Sequence, residues 1–331
     1  MNDIELLAGS DFSGAVLVAQ GGSLLFSKAF GYADRPNQRP NNITTKFGTA
    51  SAGKAFVATA IMRLIERAAL QLDSTIGEFL HLGANIDSTI TIRQLLNHTS
   101  GIPDYFDESI MNEYAELWVD VPNYRIRSSW DLVPLFKDKP MMYPKGEKFQ
   151  YNNTGYVVLG LIIEVITGVP FDQHLHEVIF EPCNMTSTGY YELDRLPENC
   201  ANAYILDEER KEFYTNIFSI DVKGSGAGGA FTSIGDIFRF WDHLINGKIV
   251  SSETLSRMLS PQVPSKDYGY GFWLAERADG SFLPYFQGCD PGVSFISSYD
   301  ATGSCVVVVS NMGDDVWRIH REIRAGILTR P

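Results

Sequence analysis

The chain has 331 residues, 44% of them hydrophobic and 20% charged, proportions of a protein with a sizeable core and not of a disordered chain. A formal net charge of −13, with no run of Lys or Arg, argues against nucleic acid or an anionic membrane as partner. Cys183, Cys200, Cys289 and Cys305 show no CxxC spacing, so reduced, buried thiols are expected, with no metal and no cofactor.

Met1 to Glu5 is acidic where a secretory leader is positive, and no apolar stretch approaches the roughly 20 residues that span a bilayer, which reads as cytoplasmic. Phe12 to Ala19 and Ser23 to Tyr32 flank Gly21-Gly22 and predict a hairpin. Ser51 to Leu70 is apolar on nearly every side, through Phe56, Val57, Ile61, Met62, Leu64 and Ile65, and predicts a helix buried in the core with Lys54 in its first turn.

From Leu72 to Cys200 the pattern is mostly helical, over Thr91 to Asn97, Trp130 to Phe136, Gly155 to Ile166 and Phe171 to Phe180, with prolines between. After the glycine-rich stretch from Gly224 to Gly229, Ser233 caps a helix that runs to Ile245. Strand-like runs follow at Tyr270 to Ala275, Ser281 to Phe286, Val293 to Tyr299 and Ser304 to Ser310, then a helix from Asp315 to Leu328. Strands at both ends with helices between predict an α+β fold whose termini meet in one antiparallel sheet. The expected division is a sheet domain of residues 1–71 and 225–331 and a mostly helical domain of 72–224, with the active site between them.

Ser51-Ala52-Gly53-Lys54 has the S-x-x-K spacing, which on a helix puts hydroxyl and amine on one face, one turn apart. On the order of one such match is expected by chance in a chain this rich in serine, so its neighbours must support it. Tyr151-Asn152-Asn153 stands on a turn before a helix, and a tyrosine beside a buried lysine is expected to ionise below its ordinary value of about 10. Tyr214-Thr215-Asn216 repeats the Y-x-N spacing without that context, and Tyr214 reads as surface or packing. His98 reads as a hydrogen-bonded loop histidine. Tyr105, Phe106, Tyr190 and Tyr191 are candidates to line a pocket. No G-x-S-x-G occurs, which excludes a nucleophile elbow.

Taken in order, these segments resemble the class C β-lactamase group of penicillin-recognising serine hydrolases, with its penicillin-binding proteins, D-aminopeptidases and esterases. The resemblance runs almost end to end, through Phe12-Ser13-Gly14, Ser51 to Lys54, Leu95 to Pro103, Tyr151 to Asn153, Glu181 to Thr188, Gly228-Gly229 through Asp236, and Pro291-Gly292. It implies that Ser51 is the nucleophile, Lys54 its proton-accepting neighbour, Tyr151 the base that also protonates the leaving group, and Asn153 a donor to the bound acyl group. It also implies an oxyanion hole from the backbone N–H groups of Ser51 and Cys289, donors that typically supply about 3 kcal/mol each.

One motif departs from the family. Where the strand beside the nucleophile usually carries Lys-Thr-Gly or His-x-Gly, this chain has Phe286-Gln287-Gly288. The expected substrate wall is thus Asn153, Phe286, Gln287 and Gly288, without a base to hold a substrate carboxylate. The expected function is an acyl-enzyme hydrolase of small esters, amides or peptides. The alternatives are a β-lactamase or D-Ala-D-Ala carboxypeptidase, and a catalytically silent penicillin-recognising binding protein.

Overall fold

The computed structural model describes residues 2–111, 113–326 and 328. Its centre is a six-stranded antiparallel sheet. The strands are β1 (Gly14–Gln20), β2 (Ser23–Phe30), β3 (Trp273–Glu276), β4 (Phe282–Asp290), β5 (Val293–Tyr299) and β6 (Cys305–Ser310), in the spatial order β2-β1-β6-β5-β4-β3. The N-terminal hairpin lies beside the last strand, Gly14 opposite Ser310 and Ala19 opposite Cys305, so the two ends of the chain close one sheet as expected.

Both faces of this sheet are covered, which explains why β6 is an unbroken apolar run. Val307 and Val309 pack with Ala15, Leu17, Phe286 and Phe295 on one face, while Val306 and Val308 pack with Val16, Val18 and Ile296 on the other. The period of two along a strand divides one run of valines between two cores, each buried side chain contributing roughly 1.5–3 kcal/mol. The second face is covered by α1 (Asn2–Ala8) and by the last helix, Val316–Gly326, through Ile4, Val316, Ile319 and Ile323. The expected helix from Asp315 to Leu328 includes Ile327, which lies outside the described residues.

The first face carries α2 (Lys54–Glu66) and α4 (Ile234–Ile245), and α3 (Asn153–Thr167) packs against α2 in the same core. The side chains of α2 from Lys54 to Met62 are all buried, as the all-round apolar pattern requires. Asn152 caps α3, its side-chain oxygen accepting from Gly155 N at 2.7 Å, and Ser233 caps α4 by accepting from Asp236 N at 3.2 Å. No single helix among the described residues is long and apolar enough to cross a membrane.

Two expectations change. Strand β4 continues four residues past Phe286 to Asp290 and turns into β5 through Pro291 and Gly292, the latter at φ +75°. A short hairpin, Tyr204–Asp207 with Glu212–Thr215, falls where no strand was expected. Each strand is only four residues long, and neither Tyr-Ile-Leu-Asp nor Glu-Phe-Tyr-Thr alternates apolar with polar, so neither periodicity nor length marks it.

Candidate active site

Ser51 sits in a single 3₁₀ turn, Ala50–Gly53, that leads straight into α2. The residue before it, Ala50, is at φ +48°, a left-handed conformation that a non-glycine residue holds only when its surroundings impose it. Those surroundings are the glycine segment, where Gly229 N donates to Ala50 O at 3.0 Å and a side chain on Gly228 would press on Ala50 and Ser51.

Lys54, one turn on, is 2% exposed. Its Nζ donates to Ser51 Oγ at 3.0 Å, to Asn153 Oδ1 at 2.8 Å and to the carbonyl of Ala227. Burial brings the ammonium down to about 8 despite Glu108, Asp104, Asp290 and Asp221, which pull it up. The structure therefore brings Ser51, Lys54 and Asn153 together, and the amine beside the hydroxyl is easily deprotonated.

Asn153 is itself held on every side. Its backbone N–H donates to Asp104 Oδ2 at 2.8 Å, and its Nδ2 donates to Phe106 O and to Glu108 Oε1, both at 3.1 Å. Asp104 also accepts from Thr154 N and Oγ1, at 3.0 and 3.1 Å, which fixes the first turn of α3 against the segment after Gly101. Burial raises the Asp104 carboxyl to about 7. An Asn153 amide donating to an acyl group would first have to give up Glu108 or Phe106.

Tyr151 stands over the same lysine, its ring centroid 4.9 Å from Nζ. The ring is stacked on Trp273 at 5.8 Å and lies against His98 at 4.5 Å. His98 orients this turn, since its Nδ1 accepts from Asn152 N at 3.1 Å, in the hydrogen-bonded loop role expected of it. The ionisation expected of Tyr151 is not met. Burial pushes its phenol well above 10, and Tyr268 and Glu108 add to the rise, which outweighs the Ser51 hydroxyl that lowers it. The correction follows from desolvation: an enclosed phenolate costs more than one lysine repays.

Phe286 and Gln287 are corrections too. Phe286 is 2% exposed and lies among Phe56, Phe240, Trp241, Phe272 and Phe295, with ring centroids 5.2 to 6.3 Å away, in the core between β4 and the helices. Gln287, one residue on, points to the opposite face, where its Oε1 accepts from Trp317 Nε1 at 2.7 Å. Neither lines the cleft. A histidine at 286 would be buried among rings, so the departure from the family motif is a packing exchange and not an open place in the substrate wall.

Gly288 does face the nucleophile. A Cβ there would collide with Thr49 O and come within 2.6 Å of Ser51 N and 2.8 Å of Ala52 N. Beyond Tyr285 the edge of β4 is no longer paired with β3. Asp290 and Val293 flank a two-residue turn and form its hydrogen-bonded pair, so the alternation of an antiparallel ladder turns the N–H of Cys289 outward to that open edge. This is the edge that carries Gly288 against Ser51.

The result is a cleft of about 500 Å³ lined by Ser51, Asn153, Cys289, Asp290, Asp221, Glu108 and the aromatic residues Tyr105, Phe106 and Tyr114. Tyr105 and Phe106 were anticipated, whereas Tyr190 and Tyr191 do not line this cleft. Tyr214, read as surface or packing, stands half exposed in its wall on the unexpected hairpin. Cys289 is exposed, unlike the buried Cys183, Cys200 and Cys305. Nothing in the sequence links Asp221, Asp290 and Glu108, three acids that only the fold brings to one cleft. No group of three or more His, Cys, Asp or Glu residues able to hold a metal is found among the described residues.

Comparison with known proteins identifies the family and the fold. A family model described as Beta-lactamase matches residues 5–325. The crystal structure of a penicillin binding protein from Bacillus halodurans superposes with a TM-score of 0.93 at 34% identity, covering 97% of this chain and 99% of that one. An octameric penicillin-binding protein homologue from Pyrococcus abyssi gives 0.84 at 26%, covering 99% and 76%. PbpX of Bacillus subtilis, classed with the penicillin-binding proteins, is 30% identical over 302 residues, 90% of this chain and 70% of its own.

Proposed function

This chain belongs to the beta-lactamase family of serine hydrolases, and we propose that it hydrolyses small esters or amides through an acyl-enzyme on Ser51. The observation that carries the reading is the 3.0 Å contact between Ser51 Oγ and a buried Lys54 whose ammonium is brought down to about 8. Neutral Lys54 accepts the hydroxyl proton as Oγ attacks the carbonyl carbon, and the N–H groups of Ser51 and Cys289 hold the oxygen that becomes negative. The leaving group departs with a proton returned from Lys54, relayed through the neutral Tyr151 hydroxyl. Water then attacks the acyl carbon with Lys54 again as base, releasing the acid and restoring Ser51.

A carboxylate-bearing substrate is disfavoured because none of the described residues lining the cleft is Lys or Arg, and carboxylates line the cleft instead. The Bacillus halodurans relative is named for penicillin binding, so nitrocefin is the useful counter-substrate. Slow or absent nitrocefin turnover beside clear hydrolysis of p-nitrophenyl acetate is expected, and the opposite ranking would favour a β-lactamase.

The experiment that tests this reading is the pH dependence of kcat/KM for p-nitrophenyl acetate. Lys54 must be neutral to accept the proton, so the rate is expected to rise with pH through an apparent value near 8 and then level off. Because Tyr151 stays protonated, no second rise is expected from it. A profile that is flat from about pH 6 to 9, or one that begins to rise only near pH 10, would overturn Lys54 as base.

A further inference from the structure

We propose that a groove on the far face of the sheet binds a fatty carboxylate, its head held by Arg277, Arg321 and Arg324 and its tail lying on Leu283, Tyr285 and Trp317. The inference goes beyond the proposed hydrolysis, since this groove and the cleft of Ser51 share no lining residue.

The last helix and α1 bury the far side of β1, β5 and β6 through Val16, Val18, Ile296, Val306 and Val308. Past Ile296 the cover ends, and a groove of about 760 Å³ lies between the last helix and the strands β3 and β4. Alternation along β4 turns Leu283, Tyr285 and Gln287 to this face, with Leu283 opposite Ala275 of β3. Leu283, Tyr285 and Trp317 are each left half-buried. Gln287, the amide on this floor, commits its Oε1 to Trp317 Nε1 at 2.7 Å. A peptide laid here would leave backbone N–H and C=O groups unpaired against the floor, whereas a hydrocarbon has none to satisfy.

Positive charge gathers along the other part of the lining. Arg324 Nη1 and Arg277 Nη2 both donate to Asp300 Oδ2, at 2.7 and 3.0 Å, so one carboxylate serves two guanidiniums. The second oxygen of Asp300 accepts from Thr302 and Ser304. Arg321, exposed and one turn before Arg324, has no hydrogen bond or ion pair among the described residues. Three arginines against one acid leave the lining positive in a chain whose net charge is −13. His320 adds nothing to that charge, because burial and Arg324 bring it down to about 3. Arg324 and Trp317 stand about 10 Å apart along the helix, so an extended tail that starts at the arginines runs toward the indole. A strip of apolar side chains with a cationic end is the complement of a carboxylate on an unbranched chain.

The test is isothermal titration calorimetry of decanoate against the full chain, below the concentration at which decanoate forms micelles. Wild type is expected to bind one decanoate, at least about a hundredfold more tightly than butyrate, because the added methylenes lie on the apolar floor. Decyltrimethylammonium, with the same tail and the opposite charge, is expected to bind at least about tenfold more weakly than decanoate. Arg321→Glu and Leu283→Asp are each expected to weaken decanoate by at least about tenfold while leaving the cleavage of p-nitrophenyl acetate unchanged, since neither residue lines the cleft. Should Leu283→Asp not fold, Arg321→Glu alone decides, as its side chain is on the surface. No binding of decanoate, equal binding of the cationic amphiphile, or decanoate binding that Arg321→Glu leaves unchanged overturns the proposal. A second copy of the chain seated on this face would overturn it too, and would show as a dimer in sedimentation that Arg321→Glu dissociates and decanoate does not.

Discussion

Lys54→Met should lower kcat/KM for p-nitrophenyl acetate by about 10³-fold, within the range that a positioned general base supplies. The substitution keeps the length and apolar stem of the side chain and removes only the nitrogen that reaches Ser51 Oγ, Asn153 Oδ1 and Ala227 O. Those two carbonyl oxygens lose a donor in a buried place, at a cost of about 1–3 kcal/mol each at most, so a lowered melting temperature is expected too. The two effects separate in one experiment. Activity measured well below the melting temperature of the variant should still be lost, and the rise in rate near pH 8 should vanish with it. Retention of activity within tenfold of wild type would show that Lys54 is not the base.

Gly288→Ala should lower turnover by about 10²–10³-fold, the loss that follows removal of one oxyanion donor. The added methyl would meet Thr49 O and the backbone nitrogens of Ser51 and Ala52, at 2.6 and 2.8 Å. These are backbone atoms of the nucleophile turn and cannot swing aside like the end of a long side chain. Either β4 moves outward, carrying the Cys289 N–H away from the acyl oxygen, or the turn that holds Ser51 shifts. Unaltered kcat/KM in this variant would mean that the edge of β4 takes no part in the reaction. A control lies one residue back, where Gln287→Ala loses a hydrogen bond to Trp317 on the far face and should cost stability without altering the cleft.

The reactive pair was legible because its signal is local. Three residues on a helical turn determine the distance between Ser51 and Lys54, and the ordered company of Tyr151 to Asn153, Gly228-Gly229 and Pro291-Gly292 raised a weak spacing to a family resemblance. The sheet was legible for a related reason: Val306 to Val309 is β-branched throughout, and strands at both ends of a chain have few ways to pair other than with each other.

Position 286 lies at the limit of what strand alternation determines. Strand alternation places Phe286 and Gly288 on one face and Gln287 on the other, but how far along that face the core gives way to the cleft depends on how α2 packs beneath it. Only the packed structure reveals that the boundary falls between 286 and 288. The phenol of Tyr151 failed for a similar reason, since a lysine nearby is visible in the sequence and the burial that outweighs it is not. Glu108, Asp221 and Asp290 lie on three separate segments, and their meeting around one cavity is a property of the tertiary fold alone.

The central claim is that Ser51 carries a covalent acyl group during turnover. The most direct measurement is intact-mass spectrometry of the wild-type protein after exposure to a fluorophosphonate at pH 8, followed by peptide mapping of the adduct. A single added phosphonyl group on the peptide containing Ser51, lost in Ser51→Ala and slowed in Lys54→Met, is the predicted result. An unlabelled Ser51 in active protein, or an adduct found on Cys289 instead, would contradict it.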